Sequence, residues 1–434
     1  MPDRTKAPAV TNFTDIHLEF PSQITLSNGI KAFVIGNGED EICRISWLTC
    51  GGKFQELKPM QASLTAATML EGSKSYTSVQ VAEAFDYFGA LTNGYALDFL
   101  SLSELLSLND TLGDVLPYFV DGVVNPTFTS EIVAHKRSVV AGNLSNMSQK
   151  VRYLASREMA RIYYGESHPL ARKFTPSEVE SLMPEDLKQF HSDNILKYLG
   201  QSKIVVAGHV TDRELAIIDD RIGQLPVGDL IPPTISYPVV HDSVRWSVVD
   251  KPGAVQSAIY VTFDAVPRTH PDYLKLRLLV IALGGYFGSR LMQNIREDKG
   301  YTYGIGSVLA GRADEAHIEI STECATKYTH EVIKEIKIEL KKLQDEPIGI
   351  EELESVKQNV LSDLAKTLDT PLSVADYVNT TFTYGVYPEY FNNQVAEVQE
   401  ATSAELQELA SRYFDFQKMR IVVAGDKSVI GTIN

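Results

Sequence analysis

The sequence predicts an α+β protein built from two homologous, duplicated domains, each a mostly antiparallel β-sheet covered by helices. Three observations lead there. The chain has 434 residues, more than one hydrophobic core organises, since a domain usually takes about 150. It also repeats itself: KIVVAG begins at Lys203 and RIVVAG at Arg420, an offset of 217. Stepping backwards, MPEDLKQF (183) faces TSAELQEL (402), IYYGESHP (162) faces FTYGVYPE (382), and NPTFTSEIVAHKR (125) faces EPIGIEELESVKQ (346), at offsets of 219, 220 and 221. Four ordered matches with so little drift mark a duplication, and the period is too long for a solenoid. In each half, strand-like runs precede helix-like runs, the pattern of antiparallel-rich sheets covered on one face.

The elements follow in order. ITLSNGIKAFVIG carries Asn28-Gly29 between alternating segments, a hairpin signal. ICRISWLT (42–49) reads as a strand, 61–70 and 78–88 have helical spacing, and 92–106 is strand-like. Residues 130–161 read as a long, interrupted amphipathic helix, and KIVVAG closes the half as a strand. LPVGDLIPPTISYPVV (225–240) concentrates prolines, which fix φ and remove donors, so it reads as an extended linker. The expected division is 1–228, a linker at 229–245, and 246–434. The second half predicts strands at 258–266, 301–310 and 317–324, helices at 271–283 and 288–297, then long helices.

Composition narrows the function. Lys plus Arg total 40 against 56 Asp plus Glu, a formal net charge of −16, which repels phosphate backbones and anionic lipid. Neither nucleic acid nor a membrane is expected as partner. Cys43, Cys50 and Cys324 are too few for a disulfide framework and read as buried small apolar residues. The start of the chain has no apolar stretch of signal-peptide length, and LLVIALGG (278–285) is far shorter than the roughly 20 residues that span a bilayer. The expected location is the cytoplasm, or the periplasm if a leader has been removed.

No phosphate-binding loop, dinucleotide glycine pattern or Gly-x-Ser-x-Gly elbow is present. No two of the nine histidines lie closer than thirteen positions, so none form the i, i+4 pair that a helix-borne zinc site uses.

The chain nevertheless resembles the pitrilysin/insulinase family of zinc peptidases, in particular the short branch of processing-peptidase-like bacterial proteins. The resemblance rests on LSNGIKAFVI (26–35), TMLEGSKSYTS (68–78), FGALTNGYALDF (88–99), SRLMQNIREDKGYTYGIGS (289–307) and both IVVAG strands. It implies two domains arranged as a clamshell. The family's zinc motif is His-x-x-Glu-His on a helix plus a distant Glu. Anchored on Glu71-Gly72-Ser73, the two ligand positions fall on Ser63 and Ala67, the general-base position on Ala66, and the distant Glu on Asn143. These side chains offer no soft or charged donor set and no base, so the resemblance implies a member that binds no zinc and does not hydrolyse peptides by itself. What matches are Arg296 and Tyr303, the family's pair that binds the substrate carbonyl, and the strand Asn93-Gly94-Tyr95-Ala96, which in relatives pairs with an extended substrate. The long glycine-rich loop of the non-catalytic mitochondrial subunit is missing: LGGYFGS (283–289) is short. Two roles follow as expectations: the partner of an active zinc-bearing homologue in a heterodimer, or a metal-free peptide-binding or scaffold homodimer.

Overall fold

The computed structural model describes residues 15–432 apart from Ala313 and Tyr387. Among the described residues, the first half forms β1 (Ser22–Thr25), β2 (Lys31–Ile35), β3 (Ile42–Cys50), β4 (Leu91–Ala96), β5 (Leu100–Leu108) and β6 (Lys203–Gly208), ordered β1-β2-β6-β3-β5-β4. The second half forms β7 (Trp246–Asp250), β8 (Gln256–Asp264), β9 (Thr302–Gly311), β10 (Ala316–Ala325) and β11 (Arg420–Gly425), ordered β7-β11-β8-β10-β9. Without β1 the two orders coincide, so the duplication read from the sequence is a repeat of topology. Each IVVAG strand pairs in parallel with the first core strand of its sheet, Val206 with Val34 and Val423 with Val248. Ile204–Ala207 and Ile421–Ala424 are wholly buried. An unbroken apolar run is what a strand covered on both faces requires.

The helices of the first half are α1 (Gln61–Thr68), α2 (Ser78–Phe88), α3 (Leu112–Val124), α4 (Ser130–Met147), α5 (Val151–Tyr164), α6 (Pro176–Glu180), α7 (Pro184–Phe190) and α8 (Asp212–Arg221). Those of the second are α9 (Tyr273–Gly284), α10 (Thr329–Asp345), α11 (Ile350–Lys366), α12 (Pro371–Tyr384), α13 (Tyr390–Glu400), α14 (Ser403–Tyr413) and α15 (Lys427–Ile430). Capping explains several boundaries: Thr77 with Gln80 opens α2, Thr211 with Glu214 opens α8, and Thr402 with Glu405 opens α14. The α+β class holds, with sheets that are mixed because of the parallel pairs β2–β6 and β7–β11.

Two local readings change. The strand-like run 92–106 is two antiparallel strands, β4 and β5, closed where Leu97 N–H donates to the Leu100 carbonyl at 2.7 Å. Apolar residues flank that turn and no Gly or Pro marks it. The interrupted helix resolves into α4 and α5, separated at Ser148–Lys150.

By contacts the chain divides into two compact units, a larger one built on 21–260 with 370–385 and the stretch from Arg420, and a smaller one built on 261–369 and 386–419. In the larger unit, helices cover sheets of the opposite sequence half. Phe382 of α12 packs on Phe33 of β2 with ring centroids 4.7 Å apart, and Arg44 of β3 bonds Asp376 at 2.7 Å and the Leu372 carbonyl at 2.6 Å. Ala155, Met159 and Ile162 of α5 share a buried cluster with Val422 and Ala424 of β11. The proline-rich segment carries no helix or strand, and it is tied down. Tyr237 donates to the Phe54 carbonyl at 2.9 Å, Asp242 N–H to the Ile162 carbonyl at 2.9 Å, and Arg161 to Asp242 at 2.5 Å.

His191, just after α7, is 4% exposed and hydrogen-bonded through Nε2 to the Val123 carbonyl at 2.7 Å. Burial holds its pKa down to about 4, from 6.5. A histidine kept neutral by the fold adds stability that is complete above pH 6.5 and is lost as pH falls towards 4, because the unfolded chain then binds the extra proton. Going from pH 7 to 4.5 should therefore cost roughly 2–3 kcal/mol through this residue alone. Urea midpoints at the two pH values, compared with His191→Gln, should show that share removed in the variant; equal acid losses would exclude the assignment.

Candidate functional site

The four positions matching the family's zinc motif lie in the larger unit. Ser63, Ala66 and Ala67 fall on α1, and Ser63 and Ala67 are half-buried on one side of it. Ala66 is fully buried in a small apolar cluster with Ala62, Ala96 and Phe190. The position where a general base would stand is thus closed packing. Asn143 is exposed on α4, and Lys136 of the same helix pairs with Glu71 in the turn that follows α1. Among the described residues no group of three or more His, Cys, Asp or Glu side chains converges as metal ligands would. The residues at 63, 66, 67 and 143 do not fit the metal that the family implies, because one hydroxyl, two methyls and one amide make no zinc donor set.

The strand Asn93-Gly94-Tyr95-Ala96 is β4, the outer strand of its sheet, paired among the described residues on its β5 side alone. Asn93 and Tyr95 are exposed, while Ala96 is buried. Gly94 is required by close approach: a Cβ there would collide with the carbonyl oxygen of Ala66. The structure therefore brings Ala66, Gly94 and Ala96 together, with α1 lying directly against a strand whose other edge is open to an extended chain.

Arg296 and Tyr303 lie in the smaller unit. Arg296 sits in a π-helical segment, Met292–Asp298, which closes with Gly300 N–H donating to the Arg296 carbonyl at 3.1 Å. Gly300 takes φ +63°, a left-handed stop suited to glycine, and the chain enters β9. The sequence placed a helix at 288–297, and the wider π turn is a local feature that periodicity does not show. Tyr303 is 92% exposed on β9, the outer strand of its sheet. The Arg296 guanidinium carbon lies 5.5 Å from the Tyr303 ring centroid and 4.7 Å from that of Phe287, itself 60% exposed. The acid beside Arg296 is Glu297, at 3.4 Å from Nε. A guanidinium and a phenol placed side by side can both donate to a carbonyl oxygen, and more strongly to an oxyanion.

Sequence reasoning missed Phe287, Glu56 and a cavity. Phe287 sits in a glycine-bearing turn where no periodic signal distinguishes an exposed aromatic. The cavity, about 250 Å³ and lined by residues including Cys50, Glu56, Asn194, Tyr198, Pro233 and Tyr237, lies in the larger unit. Glu56 accepts from the N–H groups of Met60 and Ala62 at 3.4 and 3.3 Å, and burial raises its carboxyl above the usual range. All three cysteines are buried. Burial raises the Cys50 thiol and pushes that of Cys43 to about 12, so neither has the thiolate character of a nucleophile.

Comparison with known proteins bears on the fold and the family. Residues 181–360 match the family described as Peptidase M16 inactive domain. An uncharacterized zinc protease from Rickettsia bellii is 21% identical over 81% of this chain and 84% of its own. The uncharacterized zinc protease YmxG from Bacillus subtilis is 21% identical over 80% of this chain and 84% of its own. Among solved structures, a peptidase M16 inactive domain from Pseudomonas fluorescens superposes with a TM-score of 0.84 at 21% identity, covering 94% of this chain and 98% of that one. No helix among the described residues is long and apolar enough to cross a membrane.

Proposed function

Since the chain belongs to the pitrilysin/insulinase (M16) peptidase family yet holds Ser63, Ala66, Ala67 and Asn143 where the zinc motif would be, we propose that it is a non-catalytic subunit. It pairs with an active zinc-bearing homologue and lends that partner Arg296 and Tyr303 for peptide hydrolysis. The observation that carries this reading is the contrast between the two places. At Ala66 the catalytic position is filled by apolar packing. At Arg296 and Tyr303 the donors are kept side by side and open to solvent, with Tyr303 making almost no contribution to the core. Selection for folding alone does not ask for a 92% exposed tyrosine beside an arginine that no carboxylate grips in a bidentate pair.

On this reading the chain's own residues bind and orient. An extended peptide adds to the open edge of β4, where main-chain bonds supply affinity and the absence of a side chain at Gly94 keeps α1 against the strand. In the complex, the guanidinium of Arg296 and the hydroxyl of Tyr303 donate to the carbonyl oxygen of the bond cut in the partner's site, which gains negative charge as the reaction proceeds. The metal chemistry belongs to the partner. The expected location is the cytoplasm, or the periplasm if a leader has been removed.

The test is reconstitution. The purified chain should carry no stoichiometric zinc by elemental analysis and should leave an internally quenched peptide library intact. Affinity capture from the native extract should retrieve a homologue with an intact His-x-x-Glu-His, and mixing the two should raise cleavage above that of the partner alone. Peptide binding by this chain alone, with no such homologue captured and no activity gained on mixing, would instead support a metal-free binding homodimer.

A further inference from the structure

We infer that Phe287 is a positioning residue for the carbonyl-binding pair: its ring holds the Arg296 guanidinium in a plane that leaves the N–H edge free for substrate. The inference rests on the reading of Arg296 and Tyr303 given above and adds a residue to it. Two arginines, six positions apart in one segment, have opposite arrangements. Arg290 is bound in two-pronged fashion to Glu352, with Nε–Oε1 at 2.7 Å and Nη2–Oε2 at 2.8 Å, so its donors are committed to joining the post-α9 turn to α11. Arg296 is flanked instead by rings, 4.7 Å from Phe287 and 5.5 Å from Tyr303.

The difference has a chemical consequence. A carboxylate partner neutralises the guanidinium and occupies the donors that would meet an oxyanion. An aromatic face attracts the cation through its quadrupole, restricts its orientation and takes no N–H bond. Glu297, at 3.4 Å from Nε, is the competing acid, and ring contact on the guanidinium limits how fully the side chain can turn towards it. Phe287 is itself held. The turn that carries it is anchored by Arg290 to Glu352 and by Ser289 N–H to the Tyr286 carbonyl at 3.1 Å. At 60% exposure the ring contributes little to the core, so its removal should spare the fold.

Two measurements test this, one independent of any partner. On the isolated chain, the Arg296 Nε–Hε resonance should lie upfield of ordinary arginines through ring currents. It should move downfield in Phe287→Leu and stay upfield in Phe287→Tyr. In the complex with the captured zinc-bearing homologue, Phe287→Leu should lower kcat roughly two- to fivefold with KM little changed, and Phe287→Tyr should restore it, the size expected of one exposed ring–cation contact. If the resonance does not shift, or if Arg296→Ala impairs the complex while Phe287→Leu does not, the role of Phe287 is overturned and the functional reading stands. If Arg296→Ala itself has no effect on the complex, the functional reading falls. The positioning role then falls with it, whatever the resonance shows.

Discussion

Replacing Arg296 with alanine should lower the kcat of the mixed complex by about 10²–10³-fold, the range measured when one preorganised oxyanion donor is removed. The loss should appear equally in kcat and kcat/KM, because a donor that gains strength only as charge develops on the carbonyl contributes to the transition state and little to the ground state. Tyr303→Phe removes one hydroxyl and keeps the ring beside Arg296, so a smaller loss of roughly tenfold is expected. Neither substitution should shift the urea midpoint, since Tyr303 is 92% exposed and Arg296 is bound mainly by ring contacts. Arg296→Lys should recover only part of the rate: an ammonium keeps the charge but lacks the planar array of donors. Steady-state kinetics of the complex decide the matter. Full activity in both Arg296→Ala and Tyr303→Phe would exclude a shared site.

Ala66→Glu, the single change that returns a carboxylate to the general-base position, should destabilise the chain by roughly 3–5 kcal/mol at pH 7. Ala66 is fully buried among Ala62, Ala96 and Phe190, and its carbonyl already faces Gly94 across the tight junction of α1 and β4. A carboxylate there would lose its hydration among the apolar side chains of Ala62, Ala96 and Phe190. The sign of the pH response follows from this. Burial raises the introduced acid's folded pKa above its unfolded value, so the penalty is full at neutral pH and shrinks as pH falls through that raised pKa. Urea unfolding of the variant at pH 7 and pH 5 checks both size and direction. A variant as stable as the parent at pH 7 would mean that the position is open rather than packed. The same argument bears on any attempt to install the family's zinc motif here, which takes more than adding ligands. With the apolar cluster in place, restoring the chemistry requires rebuilding the packing around α1.

Much of this was readable before any coordinates. The two IVVAG runs read as repeated strands, and the structure puts them at equivalent, wholly buried places inside the two sheets. The resemblance of IREDKGYTY to the family's second-half motif singled out Arg296 and Tyr303, and the structure places them on a π-helical segment and on the strand that follows Gly300. The turn at 97–99 stayed hidden because no Gly or Pro marks it. Phe287 stayed hidden because an exposed aromatic has no periodic neighbours to declare its side.

Sequence alone determined the duplication, the α+β class, the family resemblance and the chemical poverty of positions 63, 66, 67 and 143, since all of these depend on residue identity and local spacing. Tertiary structure decided what spacing cannot carry. It seated α12 on the first sheet and α5 against β11, because amphipathic periodicity names the buried face of a helix and not the sheet that buries it. It also closed an apolar cluster over Ala66 and set Arg296 between two rings, because contacts between residues distant along the chain are fixed by packing in three dimensions.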